Sequence, residues 1–159
     1  MVGKTKLGAL STSLIVLLAL LTAQFLVGMA LNLLVIFAMP PFPASGTSFT
    51  NAFIFVSTGA GGNLALTIHF IIDMSLIAAG AVNLAFALRG RNLYKVLSLI
   101  GFISVLSAFV NGVLFVASNY VINGISYGMA GSFMLAFVSY FVMAILMYRD
   151  LAVEAKPST

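Results

Sequence analysis

The chain has 159 residues, of which 62% are hydrophobic and only 6% charged, with a mean hydropathy of +1.20; an ordinary soluble domain carries about a quarter charged residues, so too few charges are present to build a water-facing surface. The absence of cysteine excludes disulfides, thiolate metal sites, iron–sulfur clusters and covalent c-type haem attachment. The net charge of +4 comes from seven basic residues scattered among short hydrophilic segments without a basic face, which argues against a nucleic-acid partner and for membrane topology.

After MVGKTK an uncharged run extends from Leu7 to Met39 and stops at Pro40-Pro41, which cannot continue a regular helix. It predicts a first transmembrane helix over 9–38. The basic start also resembles a signal peptide, but the apolar run is too long for an h-region and Leu21-Thr22-Ala23 is a poor cleavage site. Residues 39–62, rich in Pro, Gly, Ser and Thr, read as an external loop whose apolar island, Ala52 to Val56, forms an interfacial segment or a short re-entrant hairpin. Further spans are predicted over 63–88, stopping at RGRNLYK, over 94–118, stopping at NYVING, and over 127–148. Each approaches or exceeds the roughly 20 residues a helix needs to cross hydrocarbon. Residues 149–159 form a short polar tail on the cytoplasmic side. Tyr94, Tyr120, Tyr127 and Tyr148 fall near the span ends, as interfacial anchors do.

With four spans, every basic residue falls on one side: Lys4 and Lys6, then Arg89, Arg91 and Lys95, then Arg149 and Lys156. The positive-inside rule places that side in the cytoplasm. The expectation is an all-α, polytopic integral membrane four-helix bundle, N-in/C-in, a single membrane domain over 1–159 located in the cell membrane. A faint similarity between GMALNLLVIFA at 28–38 and SAFVNGVLFVA at 107–117 aligns Asn32 with Asn111 and is compatible with a parallel repeat of two hairpins.

The second span carries His69 and Asp73, four residues apart and so about 40° apart around a helix. Tyrosines aside, they are the two ionisable groups at membrane depth, where an unpaired charge costs several kcal/mol and side chains turn to the bundle interior for partners. Gly62, Leu76, Gly80 and Asn83 project near the same face. Gln24, Gly28 and, more obliquely, Asn32 on the first span, Gly101, Ser104, Ala108 and Asn111 on the third, and Gly128, Ser132 and Ser139 on the fourth are the small and hydrogen-bonding residues that line interhelical seams in lipid. The expected intramembrane polar site comprises His69, Asp73, Gln24, Asn32, Asn111 and Ser132.

Three functions fit this constellation. The first is an accessory or structural subunit, packed through its small residues against other membrane subunits or copies of itself, with the lipid bilayer as its surroundings. The second is haem binding, with His69 as axial ligand to haem b; since only one histidine exists, Met29, Met129 or Met134 stands opposite, or the site is five-coordinate or shared between protomers. A first helix ending in a Pro-rich external loop, followed by a His-bearing second helix, resembles one four-helix half of the haem A synthase family. The likeness covers helices one and two, and that family's second histidine, on helix four, has no counterpart. The third is a small proton-coupled transporter or channel using Asp73 and His69. Enzyme signatures are lacking: no nucleophile elbow or zinc-protease motif occurs, GAGGN at 59–63 lacks the spacing of a phosphate loop, and Asp150 and Glu154 belong to the tail.

Overall fold

The computed structural model describes residues 4–34, 42–43, 45–59 and 64–154, which contain helices and turns and no strand. Five helices follow in order: α1 (Lys4–Leu34), α2 (Phe49–Thr58), α3 (Leu64–Ala87), α4 (Asn92–Ala117) and α5 (Asn123–Glu154). Four of them, all but α2, are long and apolar enough to cross a membrane. The shortest of these four has 24 residues, about 36 Å of helix against roughly 30 Å of hydrocarbon.

The four long helices form a ring in which α1 meets α3, α3 meets α4, α4 meets α5 and α5 returns to α1. Connections at alternate ends, short except for the α2-bearing one between α1 and α3, make successive long helices antiparallel, which gathers Lys4, Arg89, Arg91, Lys95 and Arg149 at one end, the basic end. The seams follow alternating spacings of three and four residues: Leu10, Leu14, Leu17, Leu21 and Gln24 on α1; Leu76, Gly80, Asn83 and Ala87 on α3; Tyr94, Ser98, Gly101 and Val105 on α4; Ala136, Tyr140, Met143 and Met147 on α5. That 3.5-residue period is the one that keeps a single stripe of each helix facing its neighbours in a left-handed bundle. At the centre lies Tyr140, fully buried; its ring fills the notch left by Gly101 on α4 and its hydroxyl reaches toward Gly80 on α3. Phe25 stacks on Phe133, with centroids 6.4 Å apart, where α1 meets α5.

The segment expected as an external loop contains α2. Ser48 accepts a hydrogen bond from the Asn51 amide at 3.2 Å and Gly59 closes the helix at φ 65°, the two capping positions that a short helix needs. Ala52 and Val56 bury against Val113, Val116 and Ala117 of α4, while Phe53 meets Phe70 of α3 and Phe109 of α4. Phe109 lies eight residues before the end of α4, so α2 reaches about 12 Å down the bundle from its remote end.

The turn after α4 holds this layer in place. Asn119 and Tyr120 adopt left-handed conformations, φ 57° and 64°. The Tyr120 amide donates to the Phe115 carbonyl and the Asn119 amide to that of Val116, the two bonds of a Schellman turn, with the Phe115 and Tyr120 rings packed edge to face at 5.6 Å. The buried Asn119 side chain accepts from the Phe42 amide and donates to the carbonyls of Phe42 and Pro43. The Thr47 amide donates to the Ala117 carbonyl, an approach so close that a Cβ on Gly46 would lie 2.6 Å from the same oxygen.

The boundaries of α3 and α4 fall within two residues of the expected spans, and the larger shifts are in α1 and α5. α1 starts at Lys4 instead of residue 9, and residues 35–38 of the expected first span lie outside the described residues. α5 begins at Asn123 and runs to Glu154, so the expected polar tail is helical over its first six residues. The cause is local: Asp150 falls on the seam stripe one step beyond Met147, where it pairs with Arg91 and accepts from the Tyr94 hydroxyl at 2.6 Å.

Candidate functional site

Antiparallel packing of α1 against α3 sets the register of the polar residues on both. A step of one turn along α1, from Gln24 to Gly28, corresponds to a step of one turn back along α3, from Asp73 to His69. Gln24 Nε2 donates to Asp73 Oδ1 at 2.5 Å, and Gly28 leaves room for the imidazole, since a Cβ there would lie 3.3 Å from His69 Cε1. Gln24 is 4% exposed. Its Oε1 and the His69 Nδ1 are both buried without a hydrogen-bond partner. No ion pair joins His69 to Asp73, for the ion pairs of the described residues are those of Asp150 with Arg91 and Arg149 at the basic end.

Of the other residues expected in the site, Asn111 and Ser132 lie in a different seam, between α4 and α5. Ser107 and Ser132 share a hydrogen bond of 2.9 Å, Asn111 Nδ2 donates back to the Ser107 carbonyl at 2.8 Å, and the Asn111 carboxamide rests against Gly128. Asn32 belongs to α1, but its side chain lies outside the described residues, as does Gly62. The expected single polar seam is thus two seams on different helix pairs, because α3 gives its His69/Asp73 stripe to α1 and not to α4.

A further polar layer joins three helices nearer the basic end. Asn83, fully buried, donates to Ser13 Oγ on α1 at 2.9 Å and accepts from Ser98 Oγ on α4 at 2.7 Å. The sequence signal was present: Asn83 continues the stripe from Asp73 through Leu76 and Gly80, and Ser98 lies three residues before Gly101. Ser13 carried no comparable signal among the hydroxyls of α1.

For haem, the three methionines named as opposite ligands do not converge on the imidazole. Met29 and Met134 are exposed, 41% and 57%, and Met129 directs its sulfur at Gly112 in the α4–α5 seam. The donor set therefore does not fit a six-coordinate haem within one chain. Among the described residues no three His, Cys, Asp or Glu side chains gather as a metal site. What the α1–α3 pair can do chemically is bind and release a proton at Asp73 or His69 and accept a hydrogen bond at Gln24 Oε1.

Comparison with models of protein families, with characterised proteins and with solved structures finds no match to this chain. Its described residues form an all-helical fold with four helices long and apolar enough to cross a membrane.

Proposed function

We propose that the chain is a multi-pass protein of the cell membrane, with both termini and the basic end in the cytoplasm, and that it serves as an accessory subunit seated against other membrane helices or copies of itself. The observation that carries this is the filled axis of the bundle. Tyr140 closes the centre between Gly80 and Gly101, and Asn83 ties α1 to α4 across α3 just below it. A carrier or channel needs a wet path between its helices; a bundle sealed by an aromatic plug and cross-linked polar layers suits a packing role. Outward, each long helix offers large apolar side chains, such as Ile15, Ile71, Ile103 and Phe141, as lipid or a neighbouring helix requires.

The cysteine-free sequence makes the topology directly testable. A membrane-impermeant thiol reagent added outside cells is expected to label Ser45→Cys and Asn123→Cys and to leave Asn92→Cys unlabelled until the membrane is opened. The reverse pattern overturns the orientation. Purification in mild detergent is expected to bring down stoichiometric membrane partners or a homo-oligomer. A lone monomer that conducts protons or solute in liposomes, and loses that flux in Asp73→Asn, overturns the accessory role in favour of transport.

A further inference from the structure

We propose that Asp73 carries a proton in the folded bundle and forms a reciprocal acid–amide pair with Gln24, in which Gln24 Nε2 donates to Asp73 Oδ1 and the Asp73 Oδ2 hydroxyl donates back to Gln24 Oε1. The first bond is present in the structure. The second supplies what the structure otherwise lacks, a donor for the Gln24 Oε1 that is buried with none. An ionised Asp73 would leave that oxygen unmet and would itself have one neutral amide donor and no counter-charge, an arrangement that low-dielectric surroundings strongly disfavour.

The charged residues of the helices packed around the pair stand at the basic end. α1 carries Lys4 and Lys6 at its start and nothing ionisable beyond them, and α2 carries none. On α3 the other titratable group is His69, one turn away and making no ion pair with Asp73. α4 has Tyr94 and Lys95, both in its first turn at the basic end. α5 has Tyr127 near its start, the axial Tyr140, and Tyr148, Arg149, Asp150 and Glu154 at the basic end. The ligand of this site is therefore a single proton taken from solvent, and its binding fastens α1 to α3 midway along the seam. Its loss removes one of two hydrogen bonds and leaves a charge between the helices, so the native state binds more protons than a state with Asp73 in water, and stability falls as pH rises.

Infrared difference spectra of the full chain in detergent or lipid, neutral minus alkaline, test this. The chain has three acidic side chains; Tyr94 and Arg91 beside Asp150 favour its ionised form, and the Asp73→Asn spectrum assigns the band. A carboxylic C=O band at neutral pH that is lost in alkali is the expected result, and it is absent from Asp73→Asn. A carboxylate band with no carboxylic band at neutral pH overturns the proposal. Asp73→Asn keeps a reciprocal amide–amide pair, so it is expected to melt within a few degrees of the native protein at neutral pH and to lose the decline that sets in above the ordinary aspartate pKa of about 4 and levels off as the carboxylic band disappears. Retention of that decline in Asp73→Asn also overturns it.

Discussion

Substituting Gly101 by alanine probes the centre of the bundle. The added Cβ would stand 2.7, 2.8 and 3.0 Å from Cζ, Cε2 and Cε1 of Tyr140, where carbon atoms prefer about 3.5–4.0 Å. The ring must retreat by close to an ångström to make room, but it is fully buried, and on its far side its hydroxyl already stands 3.4 Å from the Cβ position of Gly80. Overpacking of this kind costs about 1–3 kcal/mol, and the better helix propensity of alanine returns up to about 1 kcal/mol. A net loss of roughly 1–2 kcal/mol follows. Gly131→Ala is the control, because nothing lies within 4 Å of a Cβ there, and it is expected to leave stability unchanged or raise it slightly. Equilibrium unfolding of the purified protein in mixed micelles, followed by circular dichroism and by tyrosine emission in this tryptophan-free chain, measures both. If the clash is the cause, Tyr140→Leu combined with Gly101→Ala costs less than the sum of the two single changes. Equal stabilities for Gly101→Ala and Gly131→Ala would refute the packing argument.

Two further substitutions test the polar connections. Asn83→Leu leaves the buried Ser98 hydroxyl without its acceptor and takes the amide donor from Ser13 Oγ, which keeps its own bond to the Leu10 carbonyl, and is expected to lose about 1–3 kcal/mol, more than Ser13→Ala, which leaves the Asn83–Ser98 bond in place; equal losses in the same unfolding assay would argue against a three-helix link. At Asn119, Gly keeps the left-handed turn and loses the three side-chain bonds to Phe42 and Pro43, whereas Ala loses both. Protease cleavage within residues 42–47 should therefore quicken in Asn119→Gly and quicken further in Asn119→Ala, and an unchanged rate in both would dismiss the side chain as the clamp.

The long helices were legible because composition and length dominate their formation: runs such as Leu64–Ala87 have few alternatives to an apolar helix, and charge, proline or glycine ends them. α2 was read only as an apolar island, although Ser48 and Gly59 mark its two ends, because a ten-residue helix gains its stability from tertiary contacts with Val113 and Val116 that local sequence does not announce. Spacing placed His69 above Asp73 and Gln24 below Gly28, but it could not say which helix each stripe faces. That depends on the order of helices around the ring, and it is why Asn111 and Ser132 fall in another seam. The extension of α5 was missed because Arg149 and Asp150 look like a solvated tail until Arg91 and Tyr94 are seen to receive Asp150.

The contacts of α2 bear on biogenesis. Residues 42–59 follow α1 in the chain, yet their hydrogen bonds go to Ala117 and Asn119, some seventy residues later. The contacts that hold this segment are therefore complete only once α4 and its Schellman turn have formed. A truncation ending just before residue 119 would retain three long helices and the Val113, Val116 and Ala117 surface that receives α2, but lose the side chain that clamps Phe42 and Pro43.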